Sequence, residues 1–105
     1  MIGREEIAKM KKGAILLNLA RGEVVDTEAL AEALKSGDLS GAGVDVYDPE
    51  PIKPGNPLIG LENVILTPHV AGRTTESKVR SLKICFENIA RVIRGETPIN
   101  IVNGL

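Results

Sequence analysis

Eleven consecutive residues, Gly41-Ala42-Gly43-Val44-Asp45-Val46-Tyr47-Asp48-Pro49-Glu50-Pro51, restrict the fold of this chain more than any other stretch. Small residues permit close backbone approach ahead of Val44 and Val46. The reading is therefore a buried strand over 42–46 with Asp45 set into its apolar run. Pro49 and Pro51 cannot donate to a ladder, so they end regular pairing and fix the backbone around Glu50. A strand that delivers acids at its carboxyl end is the usual scaffold for a ligand site in an open α/β sheet. Arg21 and His69 also follow short apolar runs, which predicts that three strand ends converge on one cleft.

The rest of the chain fits that plan. Ile7 and Met10, three residues apart among charges, predict a short surface helix over 3–12 that stops near Gly13. The run 14–18 between Gly13 and the polar Asn18 has the pattern of a strand buried on both faces of a parallel sheet. A turn over 19–25 leads to a helix from Thr27 to Ser36. Asp26 is its N-cap, Ala29, Leu30, Ala33 and Leu34 are its apolar stripe, and Gly37 takes the left-handed C-cap position. Strand, helix and strand follow one another as a βαβ unit, whose crossover is expected to be right-handed. Four prolines and two glycines make 47–60 an irregular loop. Val64-Ile65-Leu66 is a third strand, stopped at Thr67-Pro68. From Thr74 to Arg94 the spacing of Val79, Leu82, Phe86, Ile89 and Ile93 predicts a helix roughly 30 Å long, ended at Gly95. Residues 98–102 are compatible with one more short strand.

Composition narrows the function. At 105 residues, with 43% hydrophobic and 26% charged residues, the chain is one small globular domain with room for a single core. A net charge of −1 and only two aromatic residues, Tyr47 and Phe86, argue against a nucleic-acid surface. The longest apolar run, 14–17, is far too short to span a bilayer, and no signal-peptide core is visible, so the expected location is the cytoplasm. Cys85 stands alone, which rules out an intrachain disulfide and a cysteine-based metal site.

Four residues are candidates for chemistry. Arg21 is either a surface arginine in a turn or a fork-shaped cation that grips the carboxylate of a small keto acid, with Gly22 leaving room beside it. Asp45 is costly to bury without partners, so it either binds a ligand or accepts hydrogen bonds from strand-end amides. Glu50 is either a solvated loop acid or the partner of a nearby base. His69 is the only histidine. Between a strand and a helix start it is either structural or a strand-end imidazole suited to proton transfer.

With these residues in place, the chain resembles the C-terminal part of the D-isomer-specific 2-hydroxyacid dehydrogenases, the group that includes phosphoglycerate dehydrogenase and glyoxylate reductase. The resemblance rests on three blocks in matching order and spacing. They are Gly13-Ala14-Ile15-Leu16-Leu17-Asn18-Leu19-Ala20-Arg21-Gly22 followed by Val25-Asp26, then Gly41 to Tyr47 followed by Glu50-Pro51, and Asn63-Val64-Ile65-Leu66-Thr67-Pro68-His69-Val70-Ala71-Gly72. It implies an α/β fold: the second half of a Rossmann-like parallel sheet, a βαβ unit plus a third strand, with a long C-terminal helix. Residues 1–73 would be the C-terminal half of the NAD(P)-binding domain, and 74–105 the helix and tail that return to the substrate domain. The implied catalytic set is Arg21 on the substrate carboxylate, His69 as proton donor and acceptor, and Glu50 tuning the histidine. Ala20, Arg21, Asp45, His69 and Gly72 would line the cofactor, NAD or NADP, with Asp45 at the nicotinamide carboxamide. No metal is implied.

The chain departs from the family pattern in lacking G-x-G-x-x-G after an earlier strand and the N-terminal substrate-domain segment. Gly41 and Gly43 are expected to precede a strand, not to open a helix. Two readings follow. In one, the chain is part of an NAD(P)-dependent enzyme acting on a 2-keto or 2-hydroxy acid, inactive until a complementing N-terminal half joins it. In the other it is a non-catalytic half-Rossmann module that self-associates. Both predict an uncovered sheet edge and helix stripe, and hence a homo-oligomer or a partner half.

Overall fold

The apolar run after Gly13 forms β1 (Ala14–Asn18), and the chain leaves it through a single 3-10 turn, Gly22–Val24. In the computed structural model, which describes residues 1–104, β1 is followed by α2 (Thr27–Ser36), β2 (Leu39–Val44) and β3 (Val64–Leu66). A short helix, α1 (Arg4–Ala8), precedes β1, and α3 (Thr75–Ile93) follows β3. Leu105, the last residue of the expected 74–105 segment, lies outside the described residues. The three strands form one parallel sheet in the order β1-β2-β3, with β2 central. The chain forms two compact units, Met1–Ala71 and Gly72 onward.

In the first unit α2 carries the core. Asp26 caps it through Ala29 N–H at 3.0 Å, Gly37 ends it at φ 79°, and Ala29, Leu30, Ala31, Ala33 and Leu34 are buried. These pack with Leu16, Leu39, Ala42, Val44, Tyr47 and Leu58. Ile2, which the sequence reading leaves unpaired, bridges to Val25. Its N–H donates to Val24 O and its carbonyl accepts Asp26 N–H.

Several expectations are corrected. The first helix stops at Ala8, not near Gly13. Residues 98–102 form no strand. The organising strand spans Leu39–Val44, so Gly41 and Gly43 lie inside it and Asp45 just beyond its end. The reason is close approach. A β-carbon on Gly43 would sit 2.8 Å from Leu17 Cδ2, and one on Gly41 would sit 3.4 Å from the Asn63 carbonyl. The glycines therefore admit neighbouring strands and do not end the one they occupy. Near its start β2 skips one residue, since Ala14 faces Leu39 and Ile15 faces Gly41. The skipped Ser40 donates its hydroxyl to Gly13 O at 2.6 Å.

The sheet is also not buried on both faces. Leu16 and Asn18 point into the core, while Ile15 and Leu17 are each 68% exposed and Ile65 is 72% exposed. A parallel sheet ordinarily has both faces covered.

In the second unit α3 runs 19 residues, about 28 Å. Thr74 is its N-cap: its hydroxyl accepts Ser77 N–H while Ser77 Oγ accepts Thr74 N–H, and Gly95 follows the helix at φ 73°. The stripe Val79, Leu82, Phe86, Ile89 and Ile93 is exposed along its length. Among the described residues no helix is long and apolar enough to cross a membrane.

Candidate active site

Three strand ends meet at the carboxyl edge of the sheet. The Asp45 N–H donates to Asn18 O at the end of β1, and Thr67 N–H donates to Val44 O at the end of β2. Pairing thus continues one residue past the strands and holds the three exit loops side by side.

The loop after β1 is shaped by Asn18, a polar residue only 5% exposed. Its Nδ2 donates to Arg21 O at 2.9 Å and its Oδ1 accepts Ala20 N–H at 3.2 Å, which turns the chain and sends Arg21 outward. The exposed Arg21 guanidinium donates to Ala20 O at 2.8 Å.

The loop after β2 is shaped by Tyr47. Its hydroxyl lies 2.9 Å from both Val44 O and Thr67 O and shares its one proton between them. Its N–H donates to Glu50 Oε1 at 3.0 Å, so the side chain of Glu50 folds back over the loop that carries it.

The loop after β3 presents His69 in left-handed geometry, at φ 54°. Its Nδ1 lies 2.9 Å from Glu50 Oε2. The hydrogen bond to His69 is the main influence that lowers the Glu50 pKa, followed by the Tyr47 N–H, with the charge of Arg21 adding to it. An ionised carboxylate only accepts, so the proton of this contact sits on Nδ1, and the tautomer this selects has Nε2 as its acceptor nitrogen. Nearly half of the His69 side chain is exposed, at 48%.

Asp45 is 1% exposed and makes three side-chain hydrogen bonds to the third loop. Oδ1 accepts Thr67 Oγ1 at 2.5 Å and Val70 N–H at 2.9 Å, and Oδ2 accepts Ala71 N–H at 2.8 Å. The Thr67 hydroxyl is the largest influence lowering its pKa. Burial opposes this, while the two amides and the charge of His69 assist.

The structure therefore brings Glu50 and His69 into direct contact, with Arg21 near enough for its charge to reach Glu50. It places Ala20 and Asp45 at the same edge, while Gly72 belongs to the second unit. Sequence reasoning passed over Asn18, Tyr47 and Thr67. The available signal was a polar residue closing an apolar run, at Asn18 and at Thr67. The Tyr47 role depends on long-range contacts that no local pattern carries. A separate concavity of about 420 Å³, lined in part by Arg4, Ile7, Met10 and Asp38, shares no residue with this edge.

Residues 1–71 match the family described as D-isomer specific 2-hydroxyacid dehydrogenase, NAD binding domain. A glyoxylate reductase of Korarchaeum cryptofilum is 50% identical over 98% of this chain and 31% of its own length. The D-isomer specific 2-hydroxyacid dehydrogenase from Xanthobacter autotrophicus Py2, solved with NADPH and MES, is 39% identical with a TM-score of 0.83, over 95% of this chain and 40% of that one. The corresponding enzyme from Lactobacillus delbrueckii ssp. bulgaricus, in its NAD complexed form, is 36% identical with a TM-score of 0.85, over 98% and 35%. The chain spans about a third of the length of the curated glyoxylate reductase it matches.

Proposed function

The chain belongs to the D-isomer specific 2-hydroxyacid dehydrogenase family, and from that premise we propose that it supplies the acid–base and carboxylate-binding half of an oxidoreductase interconverting a 2-keto acid and a D-2-hydroxy acid. The observation that carries this reading is the 2.9 Å contact between His69 Nδ1 and Glu50 Oε2 at the carboxyl edge of a parallel sheet. It fixes the tautomer and leaves Nε2 of the half-exposed ring for proton transfer to or from a substrate oxygen. Arg21, permanently charged and exposed on the neighbouring loop, binds the substrate carboxylate in a bidentate grip. Its charge together with the ionised Glu50 keeps the site polar around the reacting carbon. Residues 1–73 act as the C-terminal half of the cofactor domain, and 74–105 as the helix and tail leading to the substrate domain.

The donors at this edge suit the nicotinamide end of NAD or NADP. Backbone at Ala20 and Arg21, the turn from His69 to Ala71, and Asp45 would hold it. Three of the roughly four acceptor positions of the Asp45 carboxylate are filled, which leaves one on Oδ2 for a carboxamide N–H. When bound, the nicotinamide supplies or accepts the hydride. Gly41 and Gly43 do not serve the pyrophosphate end, because they lie within β2 and do not open a helix. On this reading the phosphate cradle lies outside residues 1–105, and turnover requires it.

The test is complementation. The chain, mixed with the N-terminal segment of a glyoxylate reductase relative, is assayed for NADH- or NADPH-dependent reduction of glyoxylate and hydroxypyruvate. Turnover that needs both halves and disappears in His69→Ala is expected. Turnover that survives His69→Ala sinks the assignment. The open sheet face of Ile15, Leu17 and Ile65 favours a second reading, a non-catalytic module that self-associates in the cytoplasm. A stable homo-oligomer that ignores the complementing half would select it.

A further inference from the structure

We propose that Asp45 is a positioning residue for the His69–Glu50 pair, setting the pair before any cofactor arrives. The role that family resemblance implies for Asp45 is a contact to the nicotinamide. The geometry assigns three of its hydrogen bonds elsewhere. Thr67 Oγ1, Val70 N–H and Ala71 N–H all converge on its two oxygens, and these residues bracket His69 on both sides.

What makes the bracket matter is the backbone at His69. At φ 54° it occupies the left-handed region that residues bearing a β-carbon avoid, and such a conformation persists only where its surroundings hold it. The His69 N–H has a bond of its own to Thr67 O, and that carbonyl also receives the Tyr47 hydroxyl. Residue 67 is thus anchored by Tyr47 and Asp45, whereas 70 and 71 are anchored by Asp45 alone among the side chains of the described residues. Release of the second anchor lets the turn relax toward ordinary geometry. That rotation carries the imidazole away from Glu50, which Tyr47 holds independently through its own N–H. The carboxylate is 1% exposed, so bulk water does not compete for these bonds in the native fold.

The inference rests on reading His69 as the acid–base residue, but its test needs no turnover, so failure of the positioning and failure of the catalytic reading are distinguishable. Nitrogen NMR of the full chain follows the His69 ring, whose Nδ1 signal reports the hydrogen bond to Glu50. Glu50→Gln is expected to shift that signal in the native chain. In Asp45→Asn the signal is expected already to have lost its hydrogen-bonded character, with no further change on adding Glu50→Gln, while amides of β1, β2 and α2 stay in place. Thr67→Val keeps the carboxylate and removes one of the three anchors, so a partial shift in the same direction is expected. If Asp45→Asn fails to fold, Thr67→Val alone decides. Native ring signals in whichever folded variant is read overturn the proposal, as does a Glu50→Gln shift of equal size with and without Asp45. A native chain indifferent to Glu50→Gln overturns it too, since no pair would be there to position.

Discussion

The α-carbon of Gly22 lies so close to the Tyr47 backbone that a β-carbon would fall on the Tyr47 carbonyl. This packs the start of the Gly22–Val24 turn directly on the loop that carries Glu50, and it brings Arg21 alongside. Because the obstructing atoms are backbone, no side-chain rotation can relieve the clash. Gly22→Ala is expected to destabilise the first unit by about 1–3 kcal/mol, measured by thermal melting. A melting temperature unchanged from the native chain would show that the Arg21 turn and the Tyr47 loop are not in contact.

The left-handed backbone of His69 separates the role of its side chain from that of its geometry. His69→Ala and His69→Gly both lose the contact to Glu50, yet only glycine adopts φ 54° without cost. The glycine variant is expected to be more stable than the alanine variant by about 1 kcal/mol. Equal stabilities, from denaturant titrations of the two, would place residue 69 in ordinary backbone geometry.

Acid should loosen this edge before it melts α2. Asp45 and Glu50 both have pKa values lowered in the folded chain, by the Thr67 hydroxyl and by His69 respectively. A carboxylate with a depressed native pKa contributes stability that is complete above its unfolded value, near 4, and is lost as pH falls through the native one. The amides of Val70 and Ala71 are therefore expected to keep their hydrogen-bonded positions down to about pH 4 and to move only below it. The measurement is an amide NMR titration. Movement of those two amides already at pH 6 would contradict the assignment.

Ile15, Leu17 and Ile65 leave one face of the sheet open. Under the self-associating reading, Leu17→Lys combined with Ile65→Lys is expected to leave the fold intact and to lower the mass seen by light scattering, since both side chains already stand outside the core. A native chain that elutes at its single-chain mass of 11.2 kDa would remove self-association from consideration.

Much of this architecture could be read from the sequence. Asp26, the stripe of α2 and Gly37 set that helix to the residue, because caps and a 3.6-residue period are local signals. β1 and β3 were legible for a similar reason, as short apolar runs bounded by Gly13 and Asn18 or by Thr67-Pro68. Where the central strand ends was not legible. Two glycines inside β2 look like a boundary until the neighbouring Leu17 and Asn63 show why a side chain is excluded there.

The sequence by itself determined the parts list: one helix with both its caps and a longer one with its apolar stripe, three strand-like runs, an aspartate set into one of them, and an arginine, a glutamate and a histidine placed past them. Only the tertiary structure decided which of these residues touch. It paired Glu50 with His69 across 19 positions, and it turned the carboxylate of Asp45 toward the backbone of residues 70 and 71. It also left one sheet face without cover. Periodicity and capping act within a few residues of chain, whereas a hydrogen bond between loops depends on the register and spacing of the strands beneath them.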